Sequence, residues 1–239
     1  MISKTFAIIA TFFLITTNGY AEEISLNTED GFLLPATLKG VEGEDARPAV
    51  ILIHQGGSDR SEWEFMHEAL IAEDYVILSY DIRGMGASPK DNGQGKVAEN
   101  IYNATDQATI DLKAAITLLE GMEEVDNARI GILGASVGGN LAVVGAATMN
   151  IKSAVAISGK TDAVHNLAGN SDIKMKSTYY ISSMESDGAR AVWAEEMFNM
   201  TASPREIAIS PNEQGHGVTI LQDMPILQEQ VISWFKKTL

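Results

Sequence analysis

The apolar positions of the chain fall into short blocks whose spacing alternates between that of strands and that of helices. Residues 24–28 and 32–39 flank the polar triplet Glu29-Asp30-Gly31, which predicts a β-hairpin. Residues 49–53 are a continuous apolar run, short enough for a strand and unbroken enough to be buried on both faces. Residues 75–80 form a second such run. Between them, residues 60–73 put Trp63, Phe65, Met66, Leu70 and Ile71 at helical spacing. Residues 104–121 predict a long amphipathic helix with Ile110, Ala114, Leu118 and Leu119 on one face and Gly121 near its end. Further strands are predicted at 128–133, 152–157, 177–183 and 206–210. Helices are predicted at 137–149, 188–200 and over most of 218–237, while 159–176 reads as a polar loop.

After the hairpin the order is β-α-β-α-β-α-β-β-α-β-α. That alternation predicts an α/β protein with a mostly parallel sheet and helices on both faces. Such a sheet carries its chemistry at the carboxyl ends of its strands. No repeat or Pro/Gly/Ser linker divides residues 22–239, so they are expected to form one domain.

The first residues stand outside this pattern. Lys4 is the only charge before Glu22, and residues 5–17 are mostly apolar. With Gly19 and Ala21 placed for cleavage after Ala21, residues 1–21 read as a secretory signal rather than a membrane span. A secreted protein, in a bacterium a periplasmic one, is expected, with no stable membrane association once the signal is removed.

Charge and cysteine usage narrow the chemistry. The 239 residues hold 17 Lys and Arg against 32 Asp and Glu, a formal net charge of −15. With no cluster of basic residues to meet phosphates, nucleic acid is not an expected partner. There is no cysteine. Thiolate zinc sites, disulfides and cysteine nucleophiles are therefore excluded. Neither a metal nor a cofactor is expected. Histidine chemistry must use His54, His67, His165 or His216.

One segment points to a reaction. Gly134-Ala135-Ser136-Val137-Gly138 carries G-x-S-x-G between a predicted strand and a helix of small residues. On such a turn the serine oxygen rises above the sheet, and the Val137 N–H opens a helix, where free N–H groups favour negative charge. His216 lies between glycines on a late loop, where it could reach the serine as general base. Three further segments accompany the serine turn. They are His54-Gln55-Gly56-Gly57, Asp81-Ile82-Arg83-Gly84-Met85-Gly86-Ala87-Ser88, and Gly215-His216-Gly217.

In order and spacing the chain resembles the α/β-hydrolases, in particular the small dienelactone-hydrolase-like and serine-esterase branches, over about residues 24–239. The resemblance implies an eight-stranded, mostly parallel sheet without a substantial cap, since only 159–176 could hold one. It implies Ser136 as nucleophile, His216 as base and Asp187 as orienting acid, with Glu185 and Asp162 as alternatives for the acid. Gly56 and Val137 would supply the oxyanion N–H groups, with Gln55 as the fallback for Gly56. Gln55 itself departs from the glycine that the family often has there. His54 is expected to be structural, His67 partly buried or on the surface, and Asp81 and Arg83 to pair or to bond the backbone. Met85, His165, Met175 and Met184 are candidate borders of the pocket, and residues 89–103 a polar rim. The implied activity is hydrolysis of a small acyl ester or thioester. A peptidase and a non-catalytic binder are the alternatives.

Overall fold

In the computed structural model, residues 21–43, 45–103, 106–184, 187–211 and 215–239 are described. The predicted signal therefore lies almost wholly outside the described residues, as does Glu185.

The strands are β1 (Glu22–Asn27), β2 (Leu33–Lys39), β3 (Arg47–Ile53), β4 (Val76–Tyr80), β5 (Val125–Ala135), β6 (Ser153–Ile157), β7 (Lys176–Ser183) and β8 (Ala202–Ser210). The helices are α1 (Glu64–Ala72), α2 (Gln107–Glu120), α3 (Val137–Thr148), α4 (Thr161–Ala168), α5 (Arg190–Met200), α6 (Val218–Asp223) and α7 (Pro225–Thr238). All eight strands join one sheet in the order β1-β2-β4-β3-β5-β6-β7-β8. The pairs β1–β2 and β2–β4 are antiparallel and all the others parallel. The expected mostly parallel eight-stranded sheet with helices is present.

Side-chain alternation explains the two cores. Along β3, Ile51 and Ile53 join Leu78, Tyr80 and Ile132 beneath Leu112 of α2 and Leu141 of α3. Val50 and Leu52, pointing the other way, join Ile77, Leu133 and Val155 against α1 and α7 through Met66, Leu70, Val231 and Phe235. An apolar run with no polar position is what a strand between two such layers requires.

The structure departs from the pattern-based reading in three elements. The stretch read as a loop contains α4, eight residues long, closed by left-handed Gly169 (φ +61°). Only Thr161, Val164 and Leu167 of it are buried, too short a stripe to stand out in the sequence. The buried face of α2 is Ala108, Leu112, Ala115, Ile116 and Leu119. Ile110, Ala114 and Leu118 are only half-buried, because the helix is turned to bring Asp111 inward onto Arg83. The final helix is two, since Pro225 has no N–H and starts α7 afresh.

Arg83 anchors three segments at once. Its guanidinium meets Asp111 Oδ1 and Asp30 Oδ2, each at 2.6 Å, and its backbone N–H donates to Asp111 Oδ2 at 3.1 Å. Asp81 bonds elsewhere, accepting from the backbone of Arg60 and Ala87 and pairing with the Arg60 side chain at 2.7 Å. Thus the two residues do not pair with each other. Each ties the β4 loop to different neighbours.

Removing one partner of a buried ion pair strands the other. Asp111→Ala is expected to cost about 3–5 kcal/mol in urea unfolding. Lys113→Ala, which breaks an exposed pair with Glu29 (side chains 62% and 56% exposed), is expected to cost under about 1 kcal/mol.

Candidate active site

The centre of the site is the junction of β5 and α3. Ser136 lies between them with φ +52° and ψ −108°, a conformation most side chains avoid. Its N–H donates to Ile157 O of β6 at 2.8 Å, and its carbonyl accepts from Asn140 N at 3.0 Å. A Cβ on Gly138 would collide with Ile53 O of β3, and one on Gly134 with Gly138 O. The two glycines therefore allow the helix to begin directly against the sheet, with Ser136 at the bend. Val137 starts α3, and no side chain caps this end.

Beside this turn, the loop after β3 holds His54 in one tautomer. Its Nε2 accepts from Ile82 N at 3.0 Å, so its Nδ1 carries the proton and donates to Gln55 O at 2.8 Å. Burial lowers its pKa. This is the structural role expected of it. The Gln55 N–H is taken up by Glu62 Oε1 at 2.6 Å, which removes Gln55 as an oxyanion donor. Burial raises the Glu62 carboxyl to about 6. The neighbouring Gly56 lies so close under the Tyr102 ring that any side chain there would strike it.

His216 sits on the loop before α6. Its Nδ1 is 2.5 Å from Asp187 Oδ1. The Asp187 side chain is fully buried, and its Oδ2 accepts from Ser158 Oγ at 2.6 Å and Ser182 Oγ at 2.7 Å. Arg190 Nε is 3.9 Å from Oδ1. With Nδ1 on the carboxylate, Nε2 is the ring nitrogen left to face a reacting group. The loop is gripped on both sides of this contact. His216 N donates to Thr219 Oγ1 at 3.0 Å, Gly217 N to Ser158 Oγ at 2.9 Å, and Val218 N to Gln55 Oε1 at 3.3 Å. Of the alternative acids, Asp162 is exposed on the first turn of α4, and Glu185 lies outside the described residues.

A cavity of about 100 Å³ opens at Ser136. Ile101, Tyr102, Ala163 and Leu167 form its apolar side, and Lys160 and Arg190 its cationic side. None of the four expected border residues lines it. Met175 is buried in the core, Met184 is exposed, Met85 packs half-buried against the core, and His165 sits on α4 with its Nε2 buried and without a hydrogen-bond partner. Besides Asn140, Ser158, Lys160 and Arg190, the lining residues that sequence reasoning missed are Tyr102, Ile101, Ala163 and Leu167. Ala163 and Leu167 are four apart on α4, a single helical step too short to mark the helix by itself. Tyr102 and Ile101 fall in the stretch read as a polar rim. Among the described residues, no group of three His, Asp or Glu could hold a metal ion.

A mostly parallel sheet of this order, with a serine at the β5–α3 bend and an acid–histidine pair on later loops, defines an α/β-hydrolase. The profile of the dienelactone hydrolase family matches residues 35–203, and the chain belongs to that family. It is 34% identical over 120 residues to the 2,6-dihydropseudooxynicotine hydrolase of Paenarthrobacter nicotinovorans. That match covers 49% of this chain and 29% of the relative, so the chain spans under a third of that protein's length. An esterase of Pyrococcus furiosus superposes with a TM-score of 0.74 at 20% identity, over 98% of this chain and 99% of the other. An acetyl xylan esterase from Paenibacillus sp. R4 superposes with a TM-score of 0.72 at 16% identity, over 96% and 87%. At these identities the likeness is one of fold.

The remaining histidine, His67, is buried on α1 with Nε2 3.3 Å from Ser79 Oγ. Burial lowers its pKa from 6.5 to about 4, with Lys39 adding to the effect. Held neutral in the fold but free to charge once unfolded, it contributes stability above pH 6.5 that is lost as the pH falls towards 4. Between pH 7 and 4.5, urea unfolding should show the native chain losing about 2 kcal/mol more than His67→Gln. Equal losses would mean that His67 does not titrate in this way.

Proposed function

We propose that the protein is an exported serine hydrolase that cleaves carboxylic ester or thioester bonds of small acyl substrates. The observation that carries this reading is the buried Asp187 carboxylate on His216 Nδ1, in a chain whose Ser136 occupies the strained bend before α3. In the mechanism, Ser136 Oγ attacks the acyl carbon while His216 Nε2 takes its proton. Asp187 orients the imidazole and stabilises its charged form. The oxyanion rests on the N–H groups of Val137 and Gly56, each such donor contributing about 3 kcal/mol in the transition state. His216 then passes its proton to the departing alcohol or thiol. Water releases the acyl group from Ser136 by the same steps in reverse order of roles.

The small cavity, walled by α4 and by Ile101 and Tyr102, favours a short acyl group over a long chain. Its apolar side, built from Ile101, Ala163 and Leu167, suits an alkyl group of a few carbons. Residues 1–21 act as the secretory signal in this reading.

A fluorophosphonate is expected to label the purified protein at Ser136, and Ser136→Ala to lower nitrophenyl-ester turnover by roughly five orders of magnitude or more. Asp187→Asn should lower it by about 10³–10⁴-fold, whereas Glu185→Gln should leave it near the native rate. Labelling elsewhere, or full turnover by Ser136→Ala, would remove the serine mechanism. Faster release of peptide amides than of esters would make the protein a peptidase. Across a series of nitrophenyl esters, kcat/KM should fall beyond the short acyl chains. Sequencing the exported protein from its N-terminus is expected to begin at Glu22, and a retained Met1 would refute cleavage of the signal.

A further inference from the structure

We infer that Ser158 is a positioning residue of this site, whose single hydroxyl locks the acid to the loop that carries the base. The inference rests on the Ser136–His216–Asp187 reading and adds a fourth residue to it.

Ser158 follows the last residue of β6 and is buried. Its φ is +53°, a left-handed conformation that is unfavourable for a residue with a Cβ. Glycine would avoid that cost, so the side chain is the feature to explain. The backbone is held from both ends. Ser158 N donates to Ile181 O at 2.9 Å, and its carbonyl accepts from Arg190 Nε at 3.1 Å.

In this conformation Oγ makes two bonds of opposite kind. It donates to Asp187 Oδ2 at 2.6 Å and accepts from Gly217 N at 2.9 Å. A hydroxyl has one proton and two lone pairs, so both bonds form together. Gly217 is the residue after His216. One atom thus stands between the carboxylate and the backbone of the loop that presents the imidazole. A displacement of either is transmitted to the other.

Ser182 supplies the contrast. It donates to the same Oδ2 at 2.7 Å. With both hydroxyls on Oδ2, Oδ1 is left to face His216 Nδ1. The bonds of the Gly217 and Val218 N–H groups go to Ser158 and Gln55. Ser182 therefore steadies the carboxylate, while Ser158 steadies the carboxylate and the base loop together.

Misplacing reacting groups by about 1 Å can cost about 100-fold in rate. Ser158→Ala and Ser158→Gly are the test variants, read by kcat and KM on a short-chain nitrophenyl ester. Ser158→Gly removes the hydroxyl and its two buried bonds but also relieves the backbone, which offsets part of their loss, so the variant is expected to fold. Both variants should lose about 10- to 100-fold in kcat with KM within about twofold. Ser182→Ala should lose several-fold less than either. In both Ser158 variants, the downfield proton resonance of a histidine Nδ1–H held on a carboxylate should broaden or vanish. Native kcat in Ser158→Gly would overturn the proposal. So would a raised KM with unchanged kcat, which would make Ser158 a substrate contact at the cavity it borders. The underlying reading fails differently. Full turnover by Ser136→Ala overturns both, whereas full turnover by Ser158→Gly beside an inactive Ser136→Ala overturns this proposal alone.

Discussion

The direct contact of α3 with the sheet is the constraint on which the rest of the molecule depends. At Gly138 the helix backbone comes so near the carbonyl of Ile53 that no side chain fits between them. At Ser136 the chain is bonded to β6 through Ile157 O. This junction therefore touches both neighbours of β5 at once, and it can form only where parallel strands end level with one another. The registers Ile53↔Gly134 and Gly134↔Ala156 are the pairing that brings these ends into line. The loops after β3, β6 and β7 then leave the sheet within reach of Ser136. The glycines at the bend are needed for steric room and the serine is held in a strained conformation. The cost of that strain is offset by burial of almost the whole of α3.

A second set of contacts converts this nearness into order. The carboxylate after β7, the hydroxyl after β6 and the histidine loop before α6 meet through Asp187, Ser158 and Gly217. Gln55, after β3, reaches Val218 on the same loop. The loops after β3, β6 and β7 are thus each hydrogen-bonded to the histidine loop or to the residue that holds it. In a low-dielectric setting such bonds polarise one another, and a complete network of this kind favours one arrangement of its members. The side chain of Gln55 is what spans the gap between the loop after β3 and the histidine loop.

Legibility in the sequence followed the strength of each physical signal. The strands at the centre of the sheet were readable because burial on both faces demands an unbroken apolar run, as in residues 49–53. The bend at Ser136 was readable because steric exclusion demands glycine at 134 and 138. The hidden elements were those whose partners are distant in sequence. The inward face of α2 is set by the pairing of Asp111 with Arg83, so its apolar spacing alone pointed to the wrong stripe. The helix α4 is short and half polar, and its contribution to the cavity rests on two residues. Tyr102 reaches the cavity only because its ring lies over Gly56, a contact that no local pattern encodes.

Acidity shows the same limit most sharply. With 32 carboxylates in the chain, composition offers many candidates for the partner of one histidine. What separates Asp187 from the others is its environment. Its side chain is fully buried, with one oxygen on the imidazole and the other on two hydroxyls. A carboxylate is expensive to bury unless its oxygens are met by donors, and here they are met by three. Asp162 is exposed at the start of a helix, without such burial. Of the described acids proposed for this role, Asp187 is the one fixed against an imidazole, and a fixed direction is what a general base needs from its acid.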